Sequence, residues 1–249
     1  MIIPRMIRLL RPTLNIFKGT SRTPSVSFSS SSVPMPIPVL STPSVLLLSL
    51  PVTPFAMNQY LLCCKTSKEA ALVDCGDDNV ERWVNAAKEE GMEITKILQT
   101  HGHVDHVSGL KDTKEKLGVP VYACADDWLI FKSAPMQGKM FGMACPSPPS
   151  IDVEVKEGDV VQVGDLQVRC LHTPGHSPGH LCYEIVGEKS IISGDLIFEG
   201  SIGRTDFPGC STEDMQKSLE RIKTEFDRDV KLYPGHMGIT TVGREIDTN

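Results

Sequence analysis

Several features are missing from this chain of 249 residues. No acidic residue occurs before Glu69, although Arg5, Arg8, Arg11, Lys18 and Arg22 all lie in that stretch. None of the eight cysteines forms a C-x-x-C pair. Several fall in strand-like runs, around Cys63, Cys170 and Cys182, so buried free thiols in a reducing compartment are expected rather than a disulfide framework. No apolar run approaches the roughly 20 residues a helix needs to cross a bilayer. The run Val45 to Leu48 is cut by Ser49 and Pro51. No short-period repeat is visible, which excludes solenoid and propeller arrays. The formal net charge is −6 even with the early arginines counted. A body that acidic argues against a general nucleic-acid or anionic-membrane surface.

The acid-free start is broken by prolines and carries a serine run at Ser29 to Ser32. That composition fits an organellar transit peptide. The expectation is a leader over residues 1–50, directed to the mitochondrial matrix or the chloroplast stroma, followed by a catalytic domain over 51–249. Forty per cent apolar residues suffices for a core of that size.

Beyond the leader, strand-like and helix-like segments alternate. Tyr60 to Cys64 and Ala70 to Asp74 read as strands, with a turn after Asp74. Asp78 and Glu81 are spaced like a capping box ahead of a helix carrying Val80, Val84 and Ala87 on one face and ending at Gly91. Ile97 to Gln99 is a short buried strand. Leu110, Thr113 and Leu117 predict a helix closed by Gly118. Ser133 to Ser150, with four prolines and three methionines, reads as a long irregular insertion. Short strands follow, at Leu181 to Val186 and Ser190 to Ser193 among others. A last helix from Ser211 or Thr212 carries Met215, Leu219, Ile222 and Phe226. Strands then helices, twice over, predict two packed sheets with helices outside.

Five of the seven histidines sit in three short motifs. The first is His101-Gly-His103-Val-Asp105-His106. In extended chain, residues two apart point the same way, so His101 and His103 can meet one metal ion. Asp105 and His106 can face a second. The other candidates, His176, Asp195 and His236, each follow an apolar strand and a Gly or Pro turn. Strand ends sharing one sandwich edge would bring them together. Imidazole and carboxylate are donors that Zn²⁺, Fe or Mn accept. His172 reads as structural, and His180 as structural or as a support for a ligand. Asp74 reads equally as a turn former or as a group that orients a ligand histidine.

The order H-x-H-x-D-H, P-G-H, S-G-D, P-G-H resembles the metallo-β-lactamase superfamily signature. Thr173-Pro-Gly-His176-Ser-Pro-Gly-His180, together with the words from Gly194-Asp195 to Arg204-Thr-Asp206-Phe, is similar to glyoxalase II-like hydrolases. The likeness is to the short form without a C-terminal helical domain, and it runs from about residue 56 to 244. The resemblance implies an αββα sandwich with two divalent metal ions, Zn being the first expectation. His101, His103 and His176 would hold one, Asp105, His106 and His236 the other, and Asp195 would bridge them. Asp105 and Asp195 would thus be catalytic through the metals. The implied reaction is attack of a metal-held hydroxide on a small-molecule thioester, such as a hydroxyacyl-glutathione. The family's lysine and tyrosine substrate contacts are replaced by Arg204-Thr205-Asp206. Arg204 is therefore open to two readings, a partner for a substrate carboxylate or an internal pair with Asp206. Gly-Arg-Thr-Asp-Phe also resembles persulfide dioxygenases of the same superfamily. Those would use one iron on His101, His176 and Asp195, a two-His-one-carboxylate set suited to oxygen chemistry.

Overall fold

The computed structural model describes residues 34–249. Most of the expected leader, residues 1–33, lies outside the described residues. Its expected end at residue 50 does not coincide with a boundary in the fold. Strands β1 (Ile37–Ser41) and β2 (Val45–Val52) are part of the first sheet. Along β2, Val45 and Leu47 join the core between the sheets, whereas Leu46, Leu48 and Leu50 pack on the opposite face. A continuous apolar run is what a strand buried on both faces requires. Pro51 lies beyond Ser49, the last β2 residue paired with β1, at a position where a missing N–H costs little.

The first sheet continues through β3 (Met57–Cys64), β4 (Glu69–Val73), β5 (Glu93–Leu98), β6 (Val121–Ala123) and β7 (Val153–Glu154), in chain order. The second runs β15-β14-β11-β10-β9-β8. It comprises β8 (Val160–Val163), β9 (Leu166–His172), β10 (Leu181–Ile185), β11 (Ser190–Gly194), β14 (Lys231–Pro234) and β15 (Thr240–Thr241). A small hairpin, β12 (Ile197–Phe198) with β13 (Ser201–Ile202), lies between β11 and β14 in the chain. The helices are α1 (Val80–Glu89), α2 (Val104–Val107), α3 (Leu110–Leu117), α4 (Trp128–Phe141), α5 (Thr212–Glu225) and α6 (Val242–Thr248).

Three apolar layers follow from this order. Leu62, Val73 and Leu98 of the first sheet meet Val168, Leu181 and Tyr183 of the second. Trp83 of α1, Leu110 of α3 and Phe131 of α4 cover the first sheet's outer face. Met215 and Ile222 of α5, with Val242 of α6, cover the second. The layering is the αββα sandwich expected from the sequence.

Two local expectations change. The segment from Ser133 is not irregular throughout, since α4 runs to Phe141 and only residues 142–152 lack regular structure. Pro135 sits inside that helix; burial of Ile130, Phe131 and Ala134 offsets a cost of about 3 kcal/mol for a mid-helix proline. Asp78 does not cap α1. Asp77 organises that turn, accepting from the Asn79 N–H (2.9 Å) and the Trp83 indole N–H (3.2 Å), and pairing with Arg82 (3.0 Å). Gly118, left-handed at φ 66°, closes α3, and Ser211 caps α5 by accepting from the Asp214 N–H. Both match expectation.

A chain shortened to begin at Val33 is expected to fold. One beginning at Thr53 removes six buried apolar side chains of β2, each contributing about 1.5–3 kcal/mol, which together match a whole domain's stability. Circular dichroism and thermal melts of the two truncations check this, with cooperative unfolding expected for the first alone.

Candidate metal centre

Strands β4, β5 and β6 run parallel, as do β11 and β14, so their C-terminal ends lie together within each sheet. The two sets of ends are stitched to one another across the sandwich. The Leu181 N–H donates to the Thr100 carbonyl (2.8 Å), and the Asn58 N–H donates to the Gly235 carbonyl (2.7 Å). The Asn58 amide also reaches the Pro234 and Met237 carbonyls, and the buried Tyr60 hydroxyl donates to Pro234 O at 2.7 Å. These bonds set where the chain leaving each strand must go.

All seven expected ligands converge at this edge. One donor atom from each of His101, His103 and His176 lies within 4.8 Å of the others, and so it is for Asp105, His106 and His236. Asp195 reaches both groups. Its carboxylate oxygens are 3.3 Å from His106 Nε2, 3.4 Å from His176 Nε2 and 3.4 Å from His236 Nε2. His103 Nδ1 is 2.8 Å from His176 Nε2, and His236 Nε2 is 3.1 Å from Asp105. Gly235 permits this closeness, because a Cβ there would strike the Asp195 carboxylate.

The outward ring nitrogens are held by the protein. His106 Nδ1 is 2.8 Å from Asp74 Oδ2, and His101 Nδ1 is 3.0 Å from Thr100 Oγ1, which itself donates to Asp74 (2.9 Å). Asp74 therefore backs one histidine of each group, and the open choice for this residue resolves to both roles. It is a turn residue at φ 60°, in the left-handed region that Asp tolerates better than most. His176 Nδ1 meets the Arg204 carbonyl (2.9 Å), and His236 Nδ1 meets the Phe55 carbonyl (3.1 Å). Such partners fix the tautomer and aim the other nitrogen inward. His180 is also a support: Thr173 Oγ1 holds its Nδ1 (2.8 Å), and its Nε2 accepts from the Asp195 N–H (2.9 Å). His172 bonds to the Pro178 carbonyl and lies outside the cluster of ligands, as expected.

Three inward atoms, His101 Nε2, His106 Nε2 and Asp195 Oδ1, are buried without a hydrogen-bond partner. Buried polar atoms are ordinarily satisfied, so orphans grouped in this way fit a cation site. The charge pattern agrees. Burial, reinforced by neighbouring imidazoles, pushes His101 far down and His103 to about 3, leaving neutral donors with lone pairs. Burial also opposes charge on His106, but Asp195, Asp74 and Asp105 overcome it and raise that imidazole. Likewise burial works against ionised Asp195, yet His106 and His236 hold it well below the usual carboxylate range. The donors are nitrogen and oxygen only, a set that Zn, Fe and Mn share.

Sequence reasoning missed Asp127. Buried and ahead of α4, it accepts from the Gly102 N–H and the Gly179 N–H, both at 2.7 Å, tying the His101 loop to the His176 loop. Nothing in Ala125-Asp-Asp-Trp128 marks it. Arg204 pairs with Asp206 through Nε (2.6 Å) and Nη2 (2.8 Å), the internal reading of that residue.

Comparison with known proteins agrees with this geometry. The family model described as Metallo-beta-lactamase superfamily matches residues 52–236. Hydroxyacylglutathione hydrolase GloC of Haemophilus influenzae is 32% identical over 207 residues, 80% of this chain and 94% of that protein. The crystal structure of TTHA1623 in a di-iron-bound form superposes with a TM-score of 0.73 at 33% identity, covering 81% of this chain and 98% of that one. ETHE1 from Myxococcus xanthus superposes at 0.68 with 24% identity, covering 82% of each chain, a likeness of fold alone.

Two outcomes are expected. Asp74→Asn weakens metal affinity about 10-fold or more, because both groups of ligands lose their charged support; competition with a chromophoric chelator measures it. Burial opposes charge on His236, but Asp105 and Asp195 raise it to about 9, so it is protonated at neutral pH without metal. A ligand histidine must be neutral, so binding releases that proton, together with the one that the surrounding carboxylates hold on His106, and affinity rises with pH through the neutral range. Calorimetric titration in buffers of different ionisation enthalpy counts the protons. Release of none at pH 7 contradicts this.

Proposed function

The chain belongs to the metallo-beta-lactamase superfamily, and within it we propose a metal-dependent hydrolase that cleaves a thioester. The observation that carries the proposal is Asp195 lying within reach of two complete ligand groups, His101/His103/His176 and Asp105/His106/His236. Bound there, a pair of divalent ions would supply hydroxide at neutral pH, by lowering the pKa of water from 15.7 towards about 7, and a Lewis acid for a carbonyl oxygen.

The chain's own residues prepare that chemistry. Asp74, Thr100 and the carbonyls of Arg204 and Phe55 hold the imidazoles in fixed tautomers. His180 holds the Asp195 backbone. Every titratable residue lining the pocket, among the described residues, belongs to the ligand groups except Arg204. No side chain is thus left over as a general acid. A thiol leaves readily as thiolate, its pKa being about 8.5, and needs no acid. An amine or alkoxide leaving group would need one, which favours the thioester. Similarity to the hydroxyacylglutathione hydrolase of Haemophilus influenzae supports the same reaction type. The acid-free, arginine-bearing first residues support an organellar address, matrix or stroma, as part of the same proposal.

Metal analysis with two assays tests the reading. Two metals per chain and thioester hydrolysis are expected; one iron per chain with oxygen consumption on glutathione persulfide overturns it. Asp105→Ala and His236→Ala sharpen the choice, because neither residue belongs to the single-iron set His101, His176 and Asp195. Each is expected to lower kcat/KM for a thioester by at least about 100-fold, more than the loss of a ligand's supporting group costs. An oxygenase would keep its iron and its turnover in both variants.

A further inference from the structure

Above the ligand groups the pocket measures about 610 Å³, within the range that takes a drug-sized ligand. Its walls are carbon-rich: Phe55, Phe141, Phe198, Ile202, Phe207 and Met237 all line it. The rings form a connected series. Phe55 meets Phe141 edge-on at 5.4 Å between centroids, Phe141 lies 6.3 Å from Phe207, and Phe207 lies 6.0 Å from the ligand His103. Phe198 packs edge-on against His236 of the other ligand group, at 5.6 Å. Phe55 and Phe141 are each 42% exposed and Met237 58%. Large apolar side chains clustered at a rim and open to water mark a surface that meets a ligand.

Of the three polar wall side chains outside the ligand groups, Gln137, Ser201 and Arg204, two are already engaged. Gln137 accepts from the Val104 N–H (3.1 Å) and donates to Ser133 (2.8 Å). Arg204 is the only arginine or lysine among the described lining residues. It is paired on two nitrogens with Asp206, and its guanidinium lies 3.6 Å over the Phe207 ring. Its charge is thus balanced and its flat face extends the aromatic wall. A short hydroxyacyl group would leave these walls wet.

Resting on the hydrolase reading for its reaction, we propose that the acyl group taken by this site is large, uncharged and apolar, an arylalkanoyl or medium-chain alkanoyl group lying along Phe207, Phe141 and Phe55. The reaction is unchanged: water adds to the carbonyl carbon, the carbon–sulfur bond breaks, and the products are the carboxylic acid and the thiol. Selectivity then comes from burial of methylene or aryl surface, with a ceiling of about fourfold for each methylene added.

Two ligand series on the metal-loaded protein test this. The first consists of N-acetylcysteamine thioesters, acetyl to octanoyl with lactoyl and phenylacetyl, read as kcat/KM. The second consists of the matching thioethers, which cannot be hydrolysed, read as binding by calorimetry. Both are expected to rise about two- to fourfold per methylene from butanoyl to octanoyl, with lactoyl below butanoyl. Phe141→Ala and Phe207→Ala should flatten the rise; Phe141 is exposed, so that variant is not threatened by loss of a core contact. Flat dependence on length in both series, or lactoyl ahead of butanoyl, overturns the proposal. Graded thioether binding without any thioester hydrolysis sustains the acyl class and defeats the hydrolase reading. Hydrolysis without a gradient in either series does the reverse.

Discussion

A buried carboxylate is stable as an anion only where positive charge or donors surround it, and Asp195 has an oxygen without a formed hydrogen bond, its neighbour His106 Nε2 lying 3.3 Å away. It is nevertheless held ionised, against its burial, by His106 and His236. Most features of the catalytic edge follow from keeping this group where it is. The His180 ring accepts from its backbone N–H, and Gly235 lets the neighbouring loop approach its oxygens. The imidazoles around it are aimed by partners on their far side. A fold selected for stability alone would bury hydrocarbon there. The arrangement makes sense as a set of donors that divalent cations would satisfy.

The sandwich supplies the positions. Asp74, Asp195 and His236 follow β4, β11 and β14. His101 stands three positions after Leu98, the last residue of β5. Because the two sheets are tied at this edge by Leu181–Thr100 and Asn58–Gly235 hydrogen bonds, groups from opposite sheets are fixed relative to each other. Asp74 extends the coupling, since it backs His106 directly and His101 through Thr100. Asp127 does the same for the two loops that carry His101 and His176. These supports are buried, which keeps competing water away from them and preserves the aim of the ligands.

The ligand set was legible in the sequence because metal donors are few in kind and tightly spaced after strand ends. The two-sheet layering was legible from the alternation of strand and helix patterns. What escaped were features whose cause is tertiary. Val45 to Val52 fell at the expected end of the leader, yet its two-faced burial is set by β3 and by the helices beneath. Helix α4 hid behind Pro135, which only the packing of Phe131 and Ala134 makes tolerable. Asp127 carries no local signal, since its partners lie 25 and 52 residues away. Arg204 has two readings in the sequence, and its pair with Asp206 is a matter of side-chain position.

Two physical demands meet in the pocket, a polar floor that must hold cations and an apolar wall that has no charge to spare for a substrate. On the proposed reading the floor would define the reaction and the wall what is brought to it. Both depend on the ligand groups binding two ions with Asp195 between them. Anomalous diffraction from crystals grown with Zn²⁺ and recorded at the metal's absorption edge tests that most directly. The account predicts two peaks, one among His101, His103 and His176 and the other among Asp105, His106 and His236, with the Asp195 carboxylate contacting both. A single peak in metal-saturated crystals, with His236 turned away into solvent, would contradict it.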